Sequence, residues 1–504
     1  MFLAARTAFP AAQRSPWANV ADPVFIRIDQ ATLPHPAVYA VAQDAVGFIW
    51  VGTPSGLARY DGYQFRTFLP GPADPNAPNG VQALVAAPDE KLWIGTPSSG
   101  LASLDERTER FQAWHADPNG RTGPRSATVI ALARTVDGKL WIGGDSGLDV
   151  FDPATNTFHS ADLGAGDERQ PRVEAILIDR EQTVWVATVR GLFQRSRSDA
   201  AFQRVDSRSC FSLYEDANGR LWSGSTGAVS ILGADRRIAK TYALAGEQWG
   251  IIEVTPGVFW VAAYDGGISI VDTVAQHIRR IAIDRANPGG FTPGDVWEFF
   301  RDRSGLIWIA NGPGGLLVHN PLNRGIFELA SIDKGLGAGD LGARAVAAAP
   351  HGDLWLGGSD RVVRVDPQKD ALSTFTVPDR RSVQTLSVAA DGTLWIGTVQ
   401  GLCRLHPHQR SIDCPSGFYR DVGRVFAIAE DAGTLWVGTG TGVFALNERR
   451  GTATQYRHSN ARDSLSNDFV TVVYADREGR IWAGTSNGLN RIDPPTERVT
   501  RFAV

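Results

Sequence analysis

The chain has 504 residues, of which 43% are hydrophobic and 21% charged, with a formal net charge of −4. This is a folding composition, large enough for two or three ordinary domains or one long repeat array, and it excludes a disordered chain. The small charge gives no electrostatic case for nucleic acid or an anionic membrane surface. No apolar run approaches the length of a transmembrane helix.

In chain order, the first segment is "MFLAARTAFPAAQRSPWANV". It carries Arg6 and Pro10 and lacks the apolar core of an export signal. The expectation is a cytosolic chain as written, or one whose export signal lies outside this reading frame. Residues 1–22 are expected to form a disordered N-terminal segment. "PVFIRIDQ" at 23–30 reads as an outermost strand that could close a ring by joining its last blade.

From about residue 36 one unit recurs eleven times, marked by Trp50, Trp93, Trp141, Trp185, Trp222, Trp260, Trp308, Trp355, Trp395, Trp436 and Trp482, spaced 37 to 48 residues apart. Each unit begins with an alternating apolar segment, such as "AVYAVAQD" at 37–44. A turn follows, ending in Gly three residues before the Trp in most units. The Trp segment leads to a second turn, as at Ser55-Gly56 and Asn487-Gly488. A third apolar segment and a short aromatic-bearing one complete the unit. Alternation of period two selects strands over helices, and Gly supplies the positive φ of tight hairpins. Two residues after the Trp stands only Gly or Ala, from Gly52 to Gly484. A larger side chain there would collide with a closely packed neighbour, most simply the adjacent sheet.

A four-stranded unit repeating at this spacing is the signature of a β-propeller. The fold class expected is therefore all-β: a β-propeller of four-stranded blades with eleven repeats, arranged as one seven-bladed ring plus a partial second ring. The first propeller is placed at 23–330 (repeats 1–7). The second, incomplete one is placed at 331–504 (repeats 8–11), after the Gly-rich "SIDKGLGAGDLGA" at 331–343. A single eleven-bladed ring is the alternative.

Three cysteines are present. Cys210 stands alone. Cys403 and Cys414 flank a hairpin-like stretch that would set them opposite each other. The plainer reading is two reduced, half-buried thiols. The sharper one is a cross-strand disulfide, which would argue for an oxidising compartment.

The strings "GFIWVGTPSGLARYDGYQF" (47–65), "GKLWIGGDSGLDVFDPATNTF" (138–158) and "GRIWAGTSNGLNRIDPPTERV" (479–499) resemble the two-component regulator propeller repeat. The resemblance runs from about residue 36 to the end of the chain. It implies a bacterial, extracytoplasmic (periplasmic) sensor region of the kind that precedes a membrane helix and a histidine kinase or diguanylate cyclase. It also implies ligands that are often carbohydrates. No kinase or cyclase motif occurs in this chain.

No catalytic constellation emerges. None of the nine His forms a His-Glu-x-x-His pattern or sits near a Gly-x-Ser-x-Gly elbow. No metal ligands, cofactor or catalytic residues are therefore assigned. One column, normally 11 residues before the Trp, varies freely among large groups where the scaffold does not dictate the choice. It holds Tyr39, Gln82, Ile130, Glu174, Phe211, Trp249, Trp297, Arg344, Gln384, Phe426 and Thr471. In a propeller this column begins the channel-lining strand, near the rim of one face. The candidate ligand-binding residues are Tyr39, Glu174, Phe211, Trp249, Trp297 and Arg344, with Arg172 and Asp295 adding charge beside them. Trp249 and Trp297 could stack on a sugar face or another flat apolar ligand. The opposing reading is that these groups merely plug the channel.

The expected function is a non-catalytic, ligand-binding sensor region with a small-molecule or carbohydrate ligand. Its partner would be a membrane-bound signalling output module or a second copy of the chain, and no nucleic acid. The alternatives are a propeller enzyme of the streptogramin-lyase or lactonase type, which would draw a His from a loop such as His35, and a protein-interaction scaffold.

Overall fold

The computed structural model describes residues 23–28, 33–70, 76–164, 170–264, 267–281, 290–291, 294–312, 314–322, 342–350, 352–366, 371–447 and 450–502. The expected N-terminal disordered segment 1–22 and most of the Gly-rich stretch at 331–343 lie outside the described residues. The chain divides into two compact units, one spanning Asp22–Glu328 and the other beginning at Leu329.

In the first unit every repeat folds as strands joined to their sequence neighbours in antiparallel order. Blade 1 comprises Ala40–Gln43, Ile49–Thr53, Gly56–Tyr60 and Phe65–Phe68. Blades 2, 3 and 4 follow, beginning at Ala83–Ala87, Val129–Arg134 and Val173–Ile178. Blades 5 and 6 share a six-stranded sheet. They are fused because Ile238–Thr255 runs unbroken for 18 residues, from the outer edge of one blade to the inner edge of the next. Blade 7 has three strands of its own, Val296–Arg301, Ile307–Asn311 and Gly315–His319. Its fourth strand is Ile26–Arg27, with Ile26 opposite Val318 and Arg27 opposite Leu317. The N-terminal strand thus completes the last blade, as its sequence suggested.

The first strand of each blade lies beside the first strand of the next, and that of blade 7 lies beside that of blade 1. Val38, Val41 and Val51 of blade 1 share one buried cluster with Trp308, Ala310, Leu316 and Val318 of blade 7. The unit is therefore a closed ring of seven blades.

Three local devices repeat. The first anchors the marker indole. Trp50 Nε1 donates to Asp44 Oδ2 at 2.8 Å, and Trp185, Trp222, Trp308 and Trp482 do the same to Asp179, Asp216, Asp302 and Asp476. The other carboxylate oxygen takes backbone N–H groups of the intervening turn, as Asp44 Oδ1 does from Gly47 and Phe48. One side chain thereby fixes a hairpin and a core plate together. The second device closes the next hairpin: Thr53 Oγ1 donates to Gly56 O at 2.9 Å, and Thr188, Thr398, Thr439 and Thr485 repeat the bond.

The third device stacks the blades. A Cβ added at Gly52 would lie 2.5 Å from Val81 Cγ1, and one at Gly143 would lie 2.4 Å from Val173 Cγ1. Each of these valines belongs to the following blade and is fully buried. The Gly is thus a socket for the neighbouring blade's Val, which is the close packing its sequence column foretold.

The second unit contains blades 8 to 11, whose first strands are Ala345–Ala348, Val383–Val388, Val425–Asp431 and Val470–Ala475. The socket recurs, from Gly357 to Val383, Gly397 to Val425 and Gly438 to Val470. Blade 9 has three regular strands. In place of a fourth, Arg404 and Asp413 form an isolated bridge. Cys403 and Cys414, 11 residues apart, are joined as a disulfide beside it. The reading of two reduced thiols is corrected. The bridge brings the partner residues face to face, and the bond holds a chain segment that has too few ladder hydrogen bonds to form a strand. In blade 11, a Cβ at Gly484 would meet, among the described residues, nothing nearer than Val472 of its own blade, at 3.5 Å. Val472 and Tyr474 are exposed there, and so is Val346 on blade 8.

Candidate functional site

The variable column coincides with a backbone irregularity. In blade 4, Val173 pairs with Thr188 and Ala175 with Ala187, so Glu174 is an inserted residue without a partner. The same register shift falls at Ile130, Phe211, Trp249 and Trp297, and at Gln384, Phe426 and Thr471 in the second unit. A bulge of this kind releases one residue from the strand's alternation and re-aims its side chain. The preceding residue, usually Val, goes into the blade stack. The bulged residue is left free of the sheet, which explains why its identity varies.

In the ring these side chains meet. Trp249 stacks on Phe211, with centroids 5.5 Å apart and planes at 18°. It meets Trp297 edge to face at 5.1 Å, and Trp297 meets Tyr39 in the same way at 5.0 Å. Tyr264 joins at 5.6 Å from Trp249 and 6.2 Å from Trp297. Five rings from blades 5, 6, 7 and 1 thus form one continuous aromatic wall across the seam where the ring closes.

Blade 4 supplies the polar part. Glu174 is only 9% exposed. Its Oε1 lies 3.1 Å from Arg172 Nε, which also reaches Asp145 at 3.5 Å. Its Oε2 is buried with no partner among the described residues. Burial pushes the Glu174 carboxyl above its ordinary range. Arg172 pulls it back, and Asp145 and Glu247 push it further up. Glu247 in turn accepts from Trp249 Nε1 at 3.3 Å, so the carboxylates and the aromatic wall belong to one mouth.

Of the candidates named from sequence, Tyr39, Phe211, Trp249 and Trp297 come together, with Glu174 and Arg172 beside them. Asp295 is half-buried at the start of blade 7, its carbonyl accepting from Gly312 N at 2.7 Å. Arg344 belongs to the second unit, where it is exposed at the start of blade 8. It shares the column because repeat 8 has the same local grammar.

Sequence reasoning missed Tyr264 and Asp145. Both lie four residues after the marker Trp, at the second hairpin, where other repeats have Pro54, Pro97, Val189 or Gly312. That second freely varying column was the available signal.

His35 Nδ1 accepts from Ala37 N at 3.0 Å within its own turn. His319 is packed against Trp260 and Phe25, and its Nδ1 meets Val24 O at 3.0 Å. Both serve local structure. Among the described residues, no group of three His, Cys, Asp or Glu is placed to hold a metal. A separate cavity of about 360 Å³ lies between blades 3 and 4, lined by Thr135, Trp141, Gln182 and Arg195 among others. None of the candidate residues lines it.

No curated protein matches the chain. Among solved structures it is similar to the extracellular domain of a B. thetaiotaomicron protein described as a hybrid two component system. The identity is 20% and the TM-score 0.71, over 95% of this chain and 66% of that one. A second extracellular domain from B. thetaiotaomicron, described as a one component system, is 22% identical at a TM-score of 0.51, over 96% of this chain and 67% of that one. The chain therefore spans about two thirds of the length of these structures. A streptogramin B lyase, 12% identical at a TM-score of 0.48 over 61% of this chain, is too distant to bear on function. At such identities the likeness establishes the all-β propeller fold. The family model described as two component regulator propeller matches residues 32–55 and 464–487, within the first and the last repeat. The first and the last of the eleven Trp-marked units are thus the ones that the two component regulator propeller model matches, and the units between them repeat the same local pattern.

Proposed function

We infer that the chain is the ligand-binding sensor region of a bacterial signal-transduction protein and that it works without catalysis. The mouth of the seven-bladed ring takes a small molecule or carbohydrate, and occupancy is passed to a membrane-bound output module or to a second copy of the chain. The observation that carries this reading is the aromatic wall. Tyr39, Phe211, Trp249 and Trp297 all stand in the column that the scaffold leaves free, and three of the four stand on bulges. Yet they gather in one place. Trp and Tyr faces with a few convergent polar groups suit a ring-shaped ligand.

An extracytoplasmic location is supported by the likeness to extracellular domains and by the Cys403–Cys414 disulfide. No helix among the described residues is long and apolar enough to cross a membrane.

Calorimetric titration against a panel of mono- and oligosaccharides tests the reading. A ligand should bind without turnover, and Trp249→Ala with Trp297→Ala should abolish binding while the fold persists by circular dichroism. A tight ligand indifferent to that double change would place the site elsewhere.

A further inference from the structure

The mouth has an unbalanced charge. Three carboxylates converge on it, Glu174, Asp145 and Glu247, and each of them acts on the Glu174 carboxyl or is that carboxyl. One guanidinium, Arg172, answers them, shared between Glu174 and Asp145 at 3.1 and 3.5 Å. Glu247 has no ion pair among the described residues; its described side-chain partner is the Trp249 indole N–H. The unpaired Oε2 of Glu174 is an independent sign of a missing partner. It is a buried acceptor on a nine-tenths buried side chain, and nothing described donates to it. A buried carboxylate oxygen without a donor costs stability, and such groups in folded proteins normally mark a water, an ion or a ligand group.

The wall beside these carboxylates is made of ring faces. Trp249 and Trp297 meet at 80°, and Tyr264 and Trp297 at 85°. Each perpendicular pair sets the edge of one ring against the face of the other, and Tyr264 is nearly half exposed. Aromatic faces attract cations through their quadrupole, most strongly where water is partly excluded. A neutral sugar would satisfy the rings but leave the charge imbalance. An anion would be repelled by all three carboxylates.

Resting on the reading of this mouth as the ligand site, we propose that its ligand carries a protonated amine, seated between Glu174, Glu247 and the Trp249–Tyr264–Trp297 faces. The shared chemistry is an ammonium group on a compact body. An amino sugar and a simple alkylammonium both satisfy it, and the experiment separates them.

The test uses the full chain and three probes, glucosamine, tetramethylammonium and glucose, titrated to about 50 mM with intrinsic Trp fluorescence as readout, since weak single-ring ligands bind in the millimolar range. Glucosamine should bind at least tenfold more tightly than glucose. Added salt should weaken it, and Glu174→Gln with Glu247→Gln should remove the preference. Binding of tetramethylammonium as well as glucosamine assigns recognition to the charge and rings alone. Binding of glucosamine only adds hydroxyl contacts and identifies an amino sugar. Glucose binding as well as glucosamine, with dependence on Trp249 and Trp297 intact, would overturn the amine and leave the sensor reading standing. Failure of both amines to bind, with the double Gln variant shown folded by circular dichroism, also overturns it. Amine binding unaffected by Trp249→Ala with Trp297→Ala would instead defeat the mouth itself.

Discussion

Whether a strand tolerates a methyl group two residues after the marker Trp is decided by the blade that follows it. At Gly143 an added Cβ would lie 2.4 Å from Val173 Cγ1 and 2.9 Å from its Cβ. Both atoms sit in a packed wall, so Gly143→Ala should cost about 1–3 kcal/mol in chemical denaturation of the ring. At Gly484 the nearest described atom is 3.5 Å away, and Gly484→Ala should change the stability of its unit by less than about 0.5 kcal/mol. Equal losses at the two sites would contradict the socket. The indole anchor makes a second residue-level prediction. Asp216 is fully buried and accepts from Trp222 Nε1, Arg220 N, Arg220 Nε and Asn218 N. Asp216→Ala strands several donors at once and should cost about 2–4 kcal/mol, measured by the same denaturation. The Gly column was legible because only Gly or Ala stands there in every repeat, and collision accounts for it at Gly52, Gly143, Gly357 and Gly397. The Asp was present in the sequence six residues before five of the tryptophans, but other repeats have Ala87, Thr135 or Ala389 there. That mixture hides a bond which those blades manage without.

Two elements stand apart from the regular blade. The first strand of blade 7 carries Glu298, where blades 1 to 4 have Ala40, Ala83, Ala131 and Ala175. Its Oε2 accepts from Val41 N at 2.9 Å, tying blade 7 to blade 1 where the ring closes. Burial pushes this carboxyl up to about 7, partly offset by the Val41 bond. A carboxyl raised on folding favours the folded state when protonated. Its contribution is therefore full below the ordinary Glu range near 4.5 and is lost as pH rises to about 7. Glu298→Gln keeps an acceptor for Val41 without the charge. It should match the native protein below that range and exceed it above pH 7 by on the order of 1–2 kcal/mol, the residue being half-buried. Thermal melts across pH check this, and a constant difference at every pH would refute it. In blade 9, the Cys403–Cys414 disulfide holds the segment that lacks a fourth strand. Reduction should lower the stability of the second unit by about 2–3 kcal/mol and leave the ring's transition in place. A single shared shift would contradict that. Spacing alone put the two thiols opposite each other, but their oxidation state depends on surroundings that composition does not record.

Across the whole molecule, two sets of positions do separate jobs. The Trp, the Gly socket and the buried Val build and stack the blades. The bulged residues of blades 4 to 7 stand outside that pattern and collect at the mouth. The blade architecture was readable from a period marked by Trp and Gly, and so was the identity of the free column. The bulge was not, because an inserted residue leaves no compositional mark and shows only as a slip in strand pairing. A repeat alignment gives register within a blade, so it sets Arg344 of the second unit in the same column as the residues of the ring. Tyr264 and Asp145 were missed because a turn residue brought to the mouth looks, in sequence, like any other turn residue. The measurement that bears most directly on this division is denaturation of a variant carrying Tyr39→Ala, Phe211→Ala, Trp249→Ala and Trp297→Ala together, set beside Asp216→Ala. If the rim recognises ligands and does not hold the ring, the fourfold variant should melt within about 5 °C of the native protein, less change than the single Asp216 variant shows. Collapse of the ring on losing those four side chains would show them to be a plug, and the account would fail.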